Sequence, residues 1–155
     1  MSNGSVVEEY RRLMDSVENP VGLTLDMKQQ VEGEILDHYS ASQTIRHFLA
    51  RLNRKVFGNC NQRRGMKLQV VPVIEGGGNT GKRIHAHLTI GRPVDWNPSD
   101  FNRLLLDQWR KCRFSYRFPK ISHIVDDYGW NSYLLKRNSK SGGIFGSIDA
   151  SNIHI

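Results

Sequence analysis

The sequence predicts an α+β fold, a central antiparallel sheet with helices on one face, and two observations carry the prediction. The first is a pair of Val/Ile-rich runs, 68–75 and 83–90, joined by Gly76-Gly77-Gly78-Asn79-Thr80-Gly81, the signature of a wide hairpin. The second is an alternation around that hairpin. Helical stripes over 42–57 and from Pro98 to Cys112 are interleaved with shorter strand patterns over 21–26 and 121–125. An antiparallel sheet packed against amphipathic helices satisfies this order.

Taken in order, residues 5–17 carry a helical stripe of Val6, Tyr10, Leu13, Met14 and Val17, which Asn19-Pro20 ends. Val21 to Asp26 reads as a strand, with Leu23 and Leu25 on one face and Thr24 and Asp26 on the other. Met27 to His38 is polar and gives no periodicity. From Ser42 to Phe57, Ile45, Phe48, Leu49, Leu52 and Val56 form one apolar stripe, and Gly58 is a natural stop. A polar loop, Asn59 to Gly65, precedes the hairpin, whose first strand carries Pro72 and is therefore expected at an edge or a bulge. Asn97 as N-cap, Pro98 in the first turn and Asp100 three residues after the cap start the next helix, with Phe101, Leu104, Leu105, Trp109 and Cys112 along its apolar side. Ile121 to Val125 reads as a strand, and Tyr128 to about Asn138 as a last helix. The 155 residues suit one domain over 1–140, and the run 141–155, Gly/Ser-rich at its start, is expected as a flexible C-terminal tail.

Hydrophobic residues are 38% and charged residues 24%, ordinary for a globular chain. The formal net charge of +7 suits a polyanionic partner. No apolar run is long enough to span a bilayer, and the N-terminus lacks a secretory pattern, so no membrane partner is expected. Cys60 and Cys112 make no disulfide framework and no CxxC pair, and read as free thiols in a cytoplasmic protein.

The chemistry is concentrated in two places. In Ile84-His85-Ala86-His87-Leu88-Thr89-Ile90, strand alternation turns Ile84, Ala86, Leu88 and Ile90 to the helix-covered face and His85, His87 and Thr89 to the other. Two adjacent outward imidazoles can grip one divalent ion; a solvated strand face carrying two histidines is the alternative. If the hairpin pairs Glu75 opposite His85, the carboxylate joins them, whereas a slip by one residue would remove it. A His-His-Glu set suits Mn²⁺ or Mg²⁺, with Zn²⁺ also compatible. The second place is Tyr133-Leu134-Leu135-Lys136, where helical spacing puts Tyr133 and Lys136 on one face, with Trp130 a turn earlier. A nearby ammonium favours phenolate, and tyrosine serves as a covalent nucleophile; a packed aromatic is the alternative.

His85-Ala86-His87 on a strand, followed by Tyr133-Leu134-Leu135-Lys136 on a later helix, resembles the replication-initiator (Rep) branch of the HUH endonucleases, of rolling-circle type. Glu75 matches the family's acidic third ligand, and Leu23-Thr24-Leu25-Asp26 looks like its first motif, with Asp26 where asparagine is frequent. The resemblance spans roughly 21–140. It implies a ferredoxin/RRM-like sheet with the catalytic tyrosine helix near the open face. It also implies a sequence-specific, metal-dependent nickase and strand transferase acting on single-stranded DNA at a replication origin of a plasmid, phage or virus. Tyr133 would be the nucleophile, forming a 5′-phosphotyrosine link. Lys136 would be its partner. Glu75, His85 and His87 would be the ligands of Mn²⁺ or Mg²⁺, and host replication proteins are expected further partners. Thr24, Arg63, Arg64, Lys67, Lys82, Arg83, Arg137 and Lys140 are the candidate DNA contacts, with Trp130 placed to stack a base.

Two neighbouring classes share the chemistry, the HUH transposases and the relaxases; the short hairpin, the YxxK motif and the small size point to the initiator branch. Two other readings compete. His87-Leu88-Thr89 fits the HxT motif of two-histidine phosphoesterases, which need a second copy on a matching strand, and His38-Tyr39-Ser40 is the only candidate. A non-catalytic nucleic-acid-binding module would explain the charge alone.

Overall fold

The structure, a computed structural model, describes residues 3–116, 119–123 and 148–155. The helix expected over 128–138, with Trp130, Tyr133, Lys136 and Arg137, lies outside the described residues, as does Lys140. The elements are α1 (Asn3–Asp15), β1 (Pro20–Asp26), β2 (Gln30–Val31), β3 (Glu34–Ile35), α2 (His38–Phe57), α3 (Asn59–Arg64), β4 (Val70–Glu75), β5 (His85–Gly91), α4 (Pro98–Trp109) and β6 (Lys120–His123). Four strands form one antiparallel sheet in the order β4-β5-β1-β6.

Strand periodicity sorts the side chains. Leu23 and Leu25 of β1, Val70 and Ile74 of β4, and Ala86, Leu88 and Ile90 of β5 share one core with Ile45, Phe48 and Leu52 of α2 and Phe101, Leu105 and Trp109 of α4. The Phe48 and Trp109 rings meet edge to face with centroids 5.4 Å apart, a geometry that suits the aromatic quadrupole. The apolar face expected of β5 is the one that packs on α2 and α4. Cys112 lies in this core, where burial pushes its thiol up to about 11 against a weaker opposing pull from the Arg51 charge, so it is unreactive near neutrality.

Helices on one face describes α2 and α4 but not α1. Met14, together with Tyr10 and Leu13, packs with Val71, Val73 and Ile148 in a second cluster. Val71 and Val73 point away from Val70 and Ile74, so this cluster lies on the opposite side of the sheet. The reason is local: β4 is apolar on both faces, and the α1 stripe covers the second.

Other differences from the sequence reading have equally local causes. Met27 to His38 holds the small β2–β3 hairpin, turned through Glu32 and Gly33, both at positive φ. Its two-residue strands leave little pattern to read. Helix α2 starts four residues earlier than Ser42, because Asp37 accepts from the Ser40 amide and Ser40 returns the bond in a capping box. Residues 59–64, expected as loop, form α3, closed by Gly65 in the left-handed region. Ile148–Ile155 differ from a loose tail: Val70 exchanges backbone bonds with His154, and the Asp149 amide donates to the Pro72 carbonyl. Pro72 thus sits on the edge strand with its missing N–H turned away from β5, as its chemistry requires. Among the described residues no helix is long and apolar enough to cross a membrane.

Candidate metal centre

Glu75 ends β4 and His85 begins β5, and the nine residues between them close the hairpin so that the two are directly paired. His87 pairs with Val73 on one side and Thr24 on the other. Glu75, His85, His87 and Thr24 therefore all project from the sheet face opposite α2 and α4. Gly76, at φ +86, makes the turn possible: a Cβ there would sit 2.2 Å from the Arg83 carbonyl oxygen.

The three candidate ligands converge. His85 Nε2 lies 3.0 Å and His87 Nε2 3.4 Å from the same oxygen, Glu75 Oε2. One ligand atom from each residue falls within 4.8 Å of the others. The rings stand at 87° with centroids 5.0 Å apart. The side chains are only 18% (His85), 8% (His87) and 10% (Glu75) exposed, so the cluster is recessed without lying beneath α2 or α4.

The far nitrogens orient the rings. A carbonyl only accepts, so His85 Nδ1 donates to Arg83 O, at 3.0 Å. His87 Nδ1 pairs with the Thr24 hydroxyl at 3.0 Å. With Nδ1 engaged outward, each Nε2 is presented to the gap between the rings, the arrangement of a metal-binding histidine. Burial raises the Glu75 carboxyl, but hydrogen bonds from His85 and then His87, with their charges, outweigh it and hold the group well below the usual carboxylate range. A carboxylate and two imidazoles suit a divalent ion, and these residues fit one by donor type, spacing and second contacts.

The other expected site residues are distributed in two groups. Lys82 and Arg83 are exposed on the hairpin beside His85. Arg63 and Arg64, exposed on α3, and Lys67 precede Val70, the start of β4, which is five residues or about 17 Å along the strand from Glu75. Thr24, expected as a DNA contact, has its hydroxyl within hydrogen-bond distance of His87 Nδ1. Tyr133 and Lys136, with Trp130, Arg137 and Lys140, fall outside the described residues. His38-Tyr39-Ser40 opens α2 rather than a strand, which leaves the two-histidine phosphoesterase reading without its second strand motif.

Three features escaped the sequence reading. Lys120 pairs with Thr24 in the sheet and so shares the histidine face; nothing near it in sequence signals this. Asp26 pairs with His85 on the side away from Glu75, legible from strand alternation alone once β1 and β5 are neighbours. The third was open to counting: between Asp37 and Glu75 the chain has no acid and carries Arg46, Arg51, Arg54, Lys55, Arg63, Arg64 and Lys67. This segment, which spans α2, α3 and most of β4, therefore holds a charge excess equal to that of the whole chain. Comparison with protein-family models, curated proteins and solved structures gives no match to this chain.

Proposed function

We propose that this chain is a metal-dependent nickase and strand transferase for single-stranded DNA, of the HUH replication-initiator kind, acting in the cytoplasm at a rolling-circle origin. The observation that carries the reading is the convergence of His85 Nε2, His87 Nε2 and Glu75 Oε2 on the sheet face left clear of α2 and α4. Further support comes from the order β1-α2-β4-β5-α4-β6, with α1, α3 and the β2–β3 hairpin as additions, and from the sheet order β4-β5-β1-β6, which suits a ferredoxin/RRM-like frame. The order of the two motifs along the chain and the acid-free basic segment add to it.

In this reading Glu75, His85 and His87 would hold Mn²⁺ or Mg²⁺, which would supply Lewis-acid chemistry at the scissile phosphate. Thr24 keeps the His87 ring in place. The Tyr133 oxygen attacks phosphorus; a phosphotyrosine bond forms as the bond to the 3′ oxygen breaks, and the phenolic proton ends on the released 3′-hydroxyl. Lys136 steadies the phenolate. The free 3′ end primes copying by host replication proteins, and the reverse step rejoins a strand. Arg63, Arg64, Lys67, Lys82, Arg83, Arg137 and Lys140 hold the DNA backbone, and Trp130 stacks a base.

The test incubates the protein with labelled single-stranded oligonucleotides and Mn²⁺ and looks for a denaturation-resistant conjugate. Wild type forms it, while His85→Ala and Tyr133→Phe do not. Tight binding by wild type with no conjugate under Mn²⁺ or Mg²⁺ would instead identify a binding module.

A further inference from the structure

Beside the metal ligands lies a pocket of about 340 Å³ lined by Asp26, Met27, Arg83, Ile84, His85 and Tyr116. Its floor is apolar: Met27 and Ile84 are 1% and 4% exposed. One wall is a flat, cationic pair, with the Arg83 guanidinium carbon 5.8 Å from the centre of the Tyr116 ring. Arg83 Nη2 lies 3.5 Å from the Met27 carbonyl, and the Tyr116 amide donates to the Asp26 carbonyl, so both partners are tied to the end of β1. Tyr116 nevertheless stays 47% exposed, which leaves much of its surface open to solvent. None of the ion pairs among the described residues neutralises Arg83 or Asp26. Asp26 brings an exposed carboxylate to the rim, directly paired with His85. His85 is therefore shared: one side meets Glu75, the other lines the pocket.

We propose that this pocket takes one nucleobase of the bound strand, stacked against the Arg83–Tyr116 wall, with Asp26 accepting from the exocyclic amino group of cytosine or adenine. The proposal rests on the nucleic-acid reading above and adds base selection to it. Each wall matches one property of a base. A planar π face suits a phenol and a guanidinium. An apolar floor suits the ring body. A carboxylate accepts from an amino group and repels the carbonyl edge of thymine. The volume is at the small end for ligand pockets, suited to one heterocycle rather than a dinucleotide. The shared His85 wall places that base next to the phosphate the metal ligands would engage, so selection falls at the nucleotide beside the cut.

Fluorescence anisotropy with labelled oligo(dC), oligo(dA) and oligo(dT), on the full chain in chelator so that nothing is cleaved, tests this directly. Wild type binds oligo(dC) and oligo(dA) about fivefold or more tighter than oligo(dT). Tyr116→Ala weakens all three by about five- to a hundredfold, while Tyr116→Phe keeps the stack and the affinity. Asp26→Asn erases the preference without losing overall affinity, and it binds Mn²⁺ as wild type does in calorimetry. Equal affinity of wild type for the three oligomers overturns the proposal. So does wild-type binding by Tyr116→Ala, or loss of Mn²⁺ binding in Asp26→Asn, which would make Asp26 a metal ligand. If Tyr116→Ala does not fold by circular dichroism, the surface variant Asp26→Asn decides alone. The conjugate assay separates the two readings: conjugate formed by wild type with no base preference removes the pocket and keeps the nuclease, and base preference without conjugate does the reverse.

Discussion

The Thr24 hydroxyl of β1 sits 3.0 Å from Nδ1 of His87 on β5, and this bond sets which nitrogen of His87 faces Glu75. The two residues are directly paired across the sheet, so the contact is as rigid as the strand register itself. A threonine on the outward face of β1 is thereby a support for the candidate ligand set.

Thr24→Val keeps the shape and removes the hydroxyl. It is expected to weaken Mn²⁺ binding by about 10- to 100-fold, the usual cost of losing a metal ligand's outer partner. Thr24→Ser restores most of it. Calorimetric titration of Mn²⁺ into the three proteins checks this, and unchanged affinity in Thr24→Val would remove the supporting role.

Glu75 links stability to pH in metal-free protein. Its folded carboxyl is depressed, because bonds from His85 and His87 outweigh burial. A depressed carboxyl contributes stability above its unfolded value of about 4.3, and that contribution is lost as pH falls toward the folded value. Glu75→Gln is therefore expected to be less stable than wild type at neutral pH by roughly 1.5–3 kcal/mol, the scale of hydrogen bonds to a charged group. The gap should narrow as pH drops below the ordinary carboxylate range. Urea unfolding of both proteins across pH, in chelator, measures it; a gap that widens in acid contradicts the arrangement.

Gly76→Ala should damage both fold and site. The new Cβ meets the Arg83 carbonyl at 2.2 Å, and φ of +86 is strained for any L side chain. A loss of about 1–3 kcal/mol in thermal or denaturant unfolding is expected. Because Arg83 O also holds His85 Nδ1, Mn²⁺ affinity should fall in parallel. Gly78→Ala, where a Cβ has open space, shares the positive φ without the clash and isolates the steric part.

DNA affinity should fall linearly with log salt concentration, and each phosphate contact removed should lower the slope by about 1. Lys67→Ala and Arg64→Ala are expected to weaken binding evenly across sequences, because charge at the α3 end reads no base. Anisotropy at several salt concentrations checks both slope and uniformity. An unchanged slope in both variants would place the strand away from α3.

Features that depend on neighbours along the chain were legible in the amino-acid order. The two-residue repeat of β5 puts His85 and His87 on one side and Ala86, Leu88 and Ile90 on the other, whatever surrounds the strand. The Asn97 cap with Pro98 places α4, and the Ile45–Phe48–Leu52 stripe orients α2. Where strands were short, as in β2 and β3, or a helix was a single turn or two, as in α3, too few residues were buried to leave a pattern.

Tertiary structure decided every relation across sequence distance. Glu75 joins His85 only because the Gly76-centred turn sets the register; a one-residue slip would send it to the other face. Thr24 reaches His87 only because β1 lies beside β5, and Tyr116 meets Arg83 only because the chain after α4 returns along the end of β1. That α1 covers Val71 and Val73 on the histidine side of the sheet is likewise a matter of which apolar faces remain to be buried once α2 and α4 have taken the first. Periodicity is written in adjacent residues, whereas register and face are chosen by the whole chain when it minimises exposed apolar surface.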